Sequence, residues 1–217
     1  MQNPLDLEYI DLNTISQFIN RDHKTFYSEY SIDKNWVSFI QNNFKDCLFT
    51  KSLIIKITNN TLIYDQEFNI EDKDKDKSIT CFILEIRSDL IAFKHLNAII
   101  IDNNKVYRYE PYGSMRDIEK LYNYKIVDAF LEQFFNKYQY IGPMSYQKTV
   151  GPQSSEELQT HMYSGFCSLW SLMFIHLILL NRDKNPEEID NIMCSIYDHK
   201  NKIFAYVTYL VELKLKL

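Results

Sequence analysis

Tyr163-Ser164-Gly165-Phe166-Cys167-Ser168-Leu169-Trp170-Ser171-Leu172 is the stretch around which the chain is organised. Small residues lead into a cysteine, and an almost unbroken apolar run follows as far as Leu180. That run is too long for one strand and too short to cross a bilayer, so it predicts a buried core helix. Cys167 then falls in the helix's first turn, where unpaired N–H groups and the helix dipole favour an anion. A thiolate held in such a place is a good nucleophile at neutral pH. The plainer reading of Cys167 is a small apolar residue at a helix start.

The rest of the composition narrows the options. The chain has 217 residues, of which 46% are apolar, enough to bury a real core. Its net charge is −5, with no basic block of the kind that binds phosphate backbones, so nucleic acid is not an expected partner. The N-terminus from Met1 to Glu8 lacks the charged-then-apolar order of a signal peptide, and no apolar run reaches membrane-spanning length. Cys47, Cys81, Cys167 and Cys194 are widely spaced and form no CxxC. That argues against a zinc site or a disulfide scaffold and for an intracellular, reducing compartment.

Residues 5–46 read as mostly helical, with Ile10, Leu12, Ile15, Phe18 and Ile19 at near-helical spacing. Leu53–Ile57 and Thr61–Tyr64 flank Asn59-Asn60 and predict a hairpin. The charge run 71–77 predicts a surface loop, and Ile79–Ile86 a strand that contains Cys81 as a core residue. An amphipathic helix is expected over 115–137, a short strand at 138–141, and a polar connector over 142–165. Two more helices follow the Cys167 helix, one from Pro186 to about Tyr197 and one over about 200–213. His23 and His199 read as solvated, and His176 as a packed, hydrogen-bonded core histidine. No internal repeat is present.

The second informative stretch runs from Phe93 to Gly113. His95 opens a strand that ends at Asp102, Asn103-Asn104 turns the chain, and a second strand ends at Glu110, before Pro111 and Gly113. In a tight hairpin the start of the first strand lies beside the end of the second, so His95 comes near Glu110 without any assumption about the fold. A carboxylate beside an imidazole fixes its tautomer and stabilises the imidazolium, which is what a general base needs. A surface ion pair is the alternative reading of the same spacing.

The order His95, Glu110, Gln153, Cys167 resembles the ubiquitin-like-protein-specific cysteine proteases (clan CE), the superfamily that also holds the adenovirus-type proteases. Papain-like enzymes run Cys before His. The likeness is greatest to a branch in large DNA viruses. It rests on His95-Leu96-Asn97-Ala98-Ile99-Ile100-Ile101-Asp102, Glu110-Pro111-Tyr112-Gly113, Gly151-Pro152-Gln153 and Gly165-Phe166-Cys167-Ser168-Leu169-Trp170-Ser171-Leu172. It covers about residues 80–182 and leaves residues 1–50 unmatched.

The resemblance implies Cys167 as nucleophile, His95 as general base, Glu110 as orienting acid and Gln153 as oxyanion donor. Gln159 competes for the last role, because many members place the glutamine closer to the cysteine. Many also carry Trp where this chain has Leu96. Leu96, Asn97 and Trp170 are the expected substrate contacts. The implied fold is α+β, with a central mixed sheet packed on the helix that carries the nucleophile. Residues 1–50 are expected to form a helical extension and 51–217 the protease domain. The implied reaction is hydrolysis after the C-terminal Gly-Gly of ubiquitin or a ubiquitin-like protein, by a monomer without metal or cofactor, in the host cytoplasm or a virion. The alternatives are a viral precursor-processing protease, an acetyltransferase using the same triad with coenzyme A, and an inactive ubiquitin-binding module.

Overall fold

The computed structural model describes residues 3–6, 34–66, 68, 70, 77–89, 94–114, 122–154, 166–197, 199, 202, 203, 205, 206 and 209, with backbone only at 34–38. His23, Gln159, His161 and most of the charge run at 71–77 lie outside the described residues.

A seven-stranded sheet organises these residues. The strands are β1 (Cys47–Phe49), β2 (Leu53–Thr58), β3 (Thr61–Tyr64), β4 (Ile79–Ser88), β5 (His95–Asp102), β6 (Lys105–Tyr109) and β7 (Gln139–Ile141). The helices are α1 (Lys34–Asn43), α2 (Tyr124–Phe134), α3 (Phe166–Leu180) and α4 (Pro186–Cys194). The spatial order is β3-β2-β4-β5-β6-β7, and β1 lies parallel to the first residues of β4. β2–β4 and β6–β7 are also parallel, whereas β2–β3, β4–β5 and β5–β6 are antiparallel. The expected α+β class with a mixed sheet is therefore present. β1 belongs to the same sheet as the strands beyond residue 51, and α1 packs on it.

Both asparagine turns form. Asn59 and Asn60 take φ of 50° and 59°, and Asn103 takes 53°, the left-handed region that asparagine tolerates and two-residue hairpin loops require. In β5 successive side chains point to opposite faces, so the strand serves two cores at once. Leu96, Ala98 and Ile100 pack with α3, and Ile99 and Ile101 pack on the other face with Val127 and Leu131 of α2. Every residue of α3 from Phe166 to Leu179 is buried, as befits a helix that is apolar all round. The Ser171 hydroxyl, in the middle of that helix, donates to the Leu96 carbonyl at 3.2 Å and so ties α3 to β5.

Three expectations are corrected. The helix expected over 115–137 begins at Tyr124, because the Asn123 side chain accepts the Ile126 N–H and caps it there; residues 115–121 lie outside the described set. The helix from Pro186 ends at Cys194 and not near Tyr197. His199 is not simply solvated: its Nε2 lies 3.1 Å from the Met193 carbonyl, and its ring meets Trp170 edge-on at 5.8 Å. No helix among the described residues is long and apolar enough to cross a membrane.

Candidate active site

The β5–β6 ladder ends at Ala98–Tyr109, so Glu110 falls one step past it, opposite Asn97 and diagonal to His95. The diagonal contact forms: His95 Nε2 lies 2.8 Å from Glu110 Oε1. Both side chains are buried, at 5% and 0% exposure. Glu110 Oε1 also accepts the Tyr112 N–H at 3.1 Å, and Oε2 accepts the Asn97 amide at 2.9 Å and the Tyr122 hydroxyl at 2.6 Å. A carboxylate has about four lone-pair directions, and here all four are taken.

A cation stands behind this shell. Arg108 Nη1 donates to Asn97 Oδ1 at 2.7 Å and to the Tyr122 oxygen at 2.8 Å. Its other nitrogens reach Asp128, at 2.9 Å from Nη2, and Tyr140, at 3.0 Å from Nε. Arg108, Tyr122, Asp128 and Tyr140 were not legible as site residues. The available signal was strand alternation: Arg108 shares its face with buried Val106, and an arginine on a buried face needs partners.

The turn after Glu110 is locked against a distant loop. Gly113, at φ 83°, and Gly151 approach so closely that a Cβ on Gly113 would lie 2.5 Å from the Gly151 nitrogen, and one on Gly151 2.4 Å from the Pro111 oxygen. Only glycine fits at either place. Gly151 N donates to the Tyr112 carbonyl at 2.9 Å, and Gln153 N to the Pro111 carbonyl at 3.1 Å. The two short motifs of the sequence are thus two halves of one backbone clasp. Gln147, which the sequence did not single out, adds a side-chain substitute for a strand. Its amide oxygen accepts the Glu110 N–H at 2.7 Å, and its nitrogen donates to the Glu110 carbonyl at 3.1 Å and to Asp190 of α4 at 2.9 Å.

Cys167 is the second residue of α3 and is 4% exposed. Its thiol is near enough to His95 to raise the imidazole's pKa, and with Nε2 committed to Glu110, Nδ1 is the ring atom open to it. Gln153 lies in a 3-10 turn, Pro152–Ser154, that packs against α3. Its side chain is 6% exposed, and its Oε1 is buried without a partner. The Tyr112 ring tilts over His95 at a centroid distance of 5.5 Å, and Gln153 is near enough to its phenol to bear on its pKa. Cys167, His95, Glu110 and Gln153 therefore gather where the end of the sheet meets the start of α3.

The three expected substrate contacts lie elsewhere. Leu96 and Trp170 are in the α3 core at 3% and 0% exposure. Asn97 is fully buried, and its amide is committed to Glu110 and Arg108. None of the three presents a surface to a ligand in this conformation.

The electrostatics follow from these contacts. Burial disfavours the His95 imidazolium, but the Glu110 charge, hydrogen bonds to Cys167 and Glu110, and the Cys167 charge outweigh it and carry the pKa up to about 10. Burial likewise opposes the Glu110 carboxylate. The charge and hydrogen bond of His95, the Arg108 charge and the Tyr122 hydroxyl nevertheless hold it below the usual carboxylate range. Burial and the neighbouring Cys167 and Glu110 charges push the Tyr112 phenol up to about 12. Among the described residues no group of three His, Cys, Asp or Glu side chains is arranged to hold a metal ion.

No family model matches the chain. A protein of Acanthamoeba polyphaga mimivirus, named "Putative ankyrin repeat protein L371", is 25% identical over 156 residues, which is 61% of this chain and 20% of that protein. The chain thus matches a fifth of its relative's length. A match of that extent includes β5 and β6 wherever it falls, and a sheet is not built from the helix pairs of ankyrin repeats. In this chain the strands β5 and β6 do not belong to an ankyrin array.

Proposed function

We propose that the chain is a cysteine protease that hydrolyses the peptide or isopeptide bond after the C-terminal Gly-Gly of ubiquitin or a ubiquitin-like protein. One observation carries the reading: a buried imidazole is held by a carboxylate at Nε2, and the cysteine in the first turn of α3 lies within electrostatic reach of the same ring. The Cys167 thiolate attacks the carbonyl carbon. His95 gives its proton to the leaving amine, then takes one from the water that hydrolyses the thioester. Glu110 keeps the imidazolium charged and oriented. No metal or cofactor enters these steps, and a thiol nucleophile suits a reducing compartment.

Gln153 and the Cys167 N–H are the proposed oxyanion donors, each contributing on the order of 3 kcal/mol. An amide's oxygen and nitrogen exchange places without a change of shape. With the amide turned over, Nε2 would stand where Oε1 now lies buried without a partner, as a donor for the oxyanion. The four-motif resemblance supports the substrate class. The net charge of −5 suits the basic tail that precedes Gly-Gly in ubiquitin. A second reading, a protease that cuts viral precursors at Gly-Gly-type sites, draws on the viral source of the similar protein.

The test is a panel of ubiquitin and ubiquitin-like proteins carrying C-terminal electrophiles, mixed with the full chain. The protease reading expects one or more to attach at Cys167. Attachment of none, with the precursor-type peptides also uncut, would leave an inert binding or structural domain.

A further inference from the structure

Two donors reach Glu110 Oε2, and both are themselves held by one guanidinium. Arginine has only donors. Because Arg108 Nη1 donates to the Tyr122 oxygen at 2.8 Å, that hydroxyl's own proton must point elsewhere. Glu110 Oε2 is at 2.6 Å and Asn97 Oδ1 only at 3.5 Å, so the proton goes to the carboxylate. Because Nη1 also donates to Asn97 Oδ1 at 2.7 Å, the Asn97 amide must turn its N–H2 toward Glu110. Asp128, on the far side, fixes the guanidinium through Nη2 at 2.9 Å. Hydrogen bonds therefore run in a single direction, from Arg108 through Tyr122 and Asn97 to Glu110. They leave Glu110 no choice but to accept from His95.

We infer that Arg108 and Tyr122 are positioning residues that set the state of His95 through Glu110, Arg108 by ordering the donors and Tyr122 by supplying one. The guanidinium lies 3.9 Å from Glu110 Oε2, so its charge acts on the carboxylate directly and its hydrogen bonds act through these two side chains. The inference builds on His95 as the proposed base, and its test needs no substrate.

A carboxylate relieved of one donor accepts more strongly from those that remain. In Tyr122→Phe, which keeps the ring's packing, the His95 midpoint read from its ring proton resonances should rise by roughly half a pH unit or more. Asn97→Ala removes the other ordered donor, should shift the midpoint the same way, and serves if Tyr122→Phe does not fold. A midpoint that is unchanged or lowered, with only the melting temperature altered, overturns the inference. Arg108's part is read in an Arg108→Lys background, where one compact ammonium cannot hold both donors. There Tyr122→Phe should move the midpoint less than it does in the wild type. An equal shift in both backgrounds would remove Arg108 from the scheme. A shifted midpoint in a chain that cleaves nothing would sink the protease reading and leave this inference standing.

Discussion

Two histidines are buried to nearly the same degree and end in opposite states. His95, at 5% exposure, has its pKa carried up to about 10, and His176, at 0%, has its pKa pushed down to about 3 by burial. His176 sits in α3 among the rings of Phe39, Phe44, Tyr206 and Tyr209, and Tyr206 OH lies 3.5 Å from its Nδ1. The polar atoms of these rings are the phenol oxygens of Tyr206 and Tyr209. His95 has the same loss of solvent but faces Glu110. Burial lowers both pKa values, and in His95 the Glu110 carboxylate, delivered by the hairpin register, outweighs it.

The largest expected effect breaks the His95 side alone. Cys167→Ala should reduce hydrolysis to background while the chain stays folded, because Ala is a good helix former in a first turn. Circular dichroism and a cleavage assay check it, and residual cleavage that depends on Cys47, Cys81 or Cys194 would reassign the nucleophile.

Glu110→Gln should turn His95 into a second His176. Four donors now converge on the carboxylate, and an amide would set an N–H2 against at least one of them. The expected stability loss is on the order of 3 kcal/mol. The His95 midpoint should fall below the ordinary histidine range. Denaturant unfolding and the ring titration give the two readings, and a midpoint that stays high would mean Glu110 is not its cause.

Gln153→Ala should slow turnover by roughly 100-fold or more while both histidine midpoints stay put. Gln159→Ala, made in parallel, should leave turnover near wild type. The reverse pattern would move the oxyanion role to Gln159.

In stability against pH the two histidines give opposite signs. His95 has a raised pKa, so its contribution is fully present below the unfolded value near 6.5 and is lost as pH rises through about 10. His176 has a lowered pKa, so stability is lost as pH falls from about 6.5 toward about 3, by up to about 1.4 kcal/mol per pH unit. His176→Leu should flatten the acid side of the stability curve and leave cleavage at neutral pH unchanged. An acid side as steep as before would place the acid sensitivity in another group.

Much of this was legible because it is local. The Asn103-Asn104 turn between two apolar runs places His95 near Glu110, and the apolar run after Cys167 is long enough only for a core helix. What was missed depends on partners far along the chain. Arg108 reads as one more charged strand residue until Asp128 and Tyr140 arrive from α2 and β7. Gln147 reads as loop until Asp190, 43 positions on, receives its amide. The Asn123 cap was present in the sequence and was overridden by apolar periodicity that continues upstream of it. Of the substrate contacts implied by the resemblance, Leu96 is turned by strand alternation to the face opposite His95, Trp170 packs in the α3 core, and Asn97, on the His95 face, is held inside by Glu110 and Arg108.

The central claim is that His95 activates Cys167 as a nucleophile, and the rate of Cys167 alkylation by iodoacetamide at neutral pH, with and without His95, tests it most directly. The account predicts a sharp drop in that rate in His95→Ala. An alkylation rate unchanged by removal of His95 would contradict it.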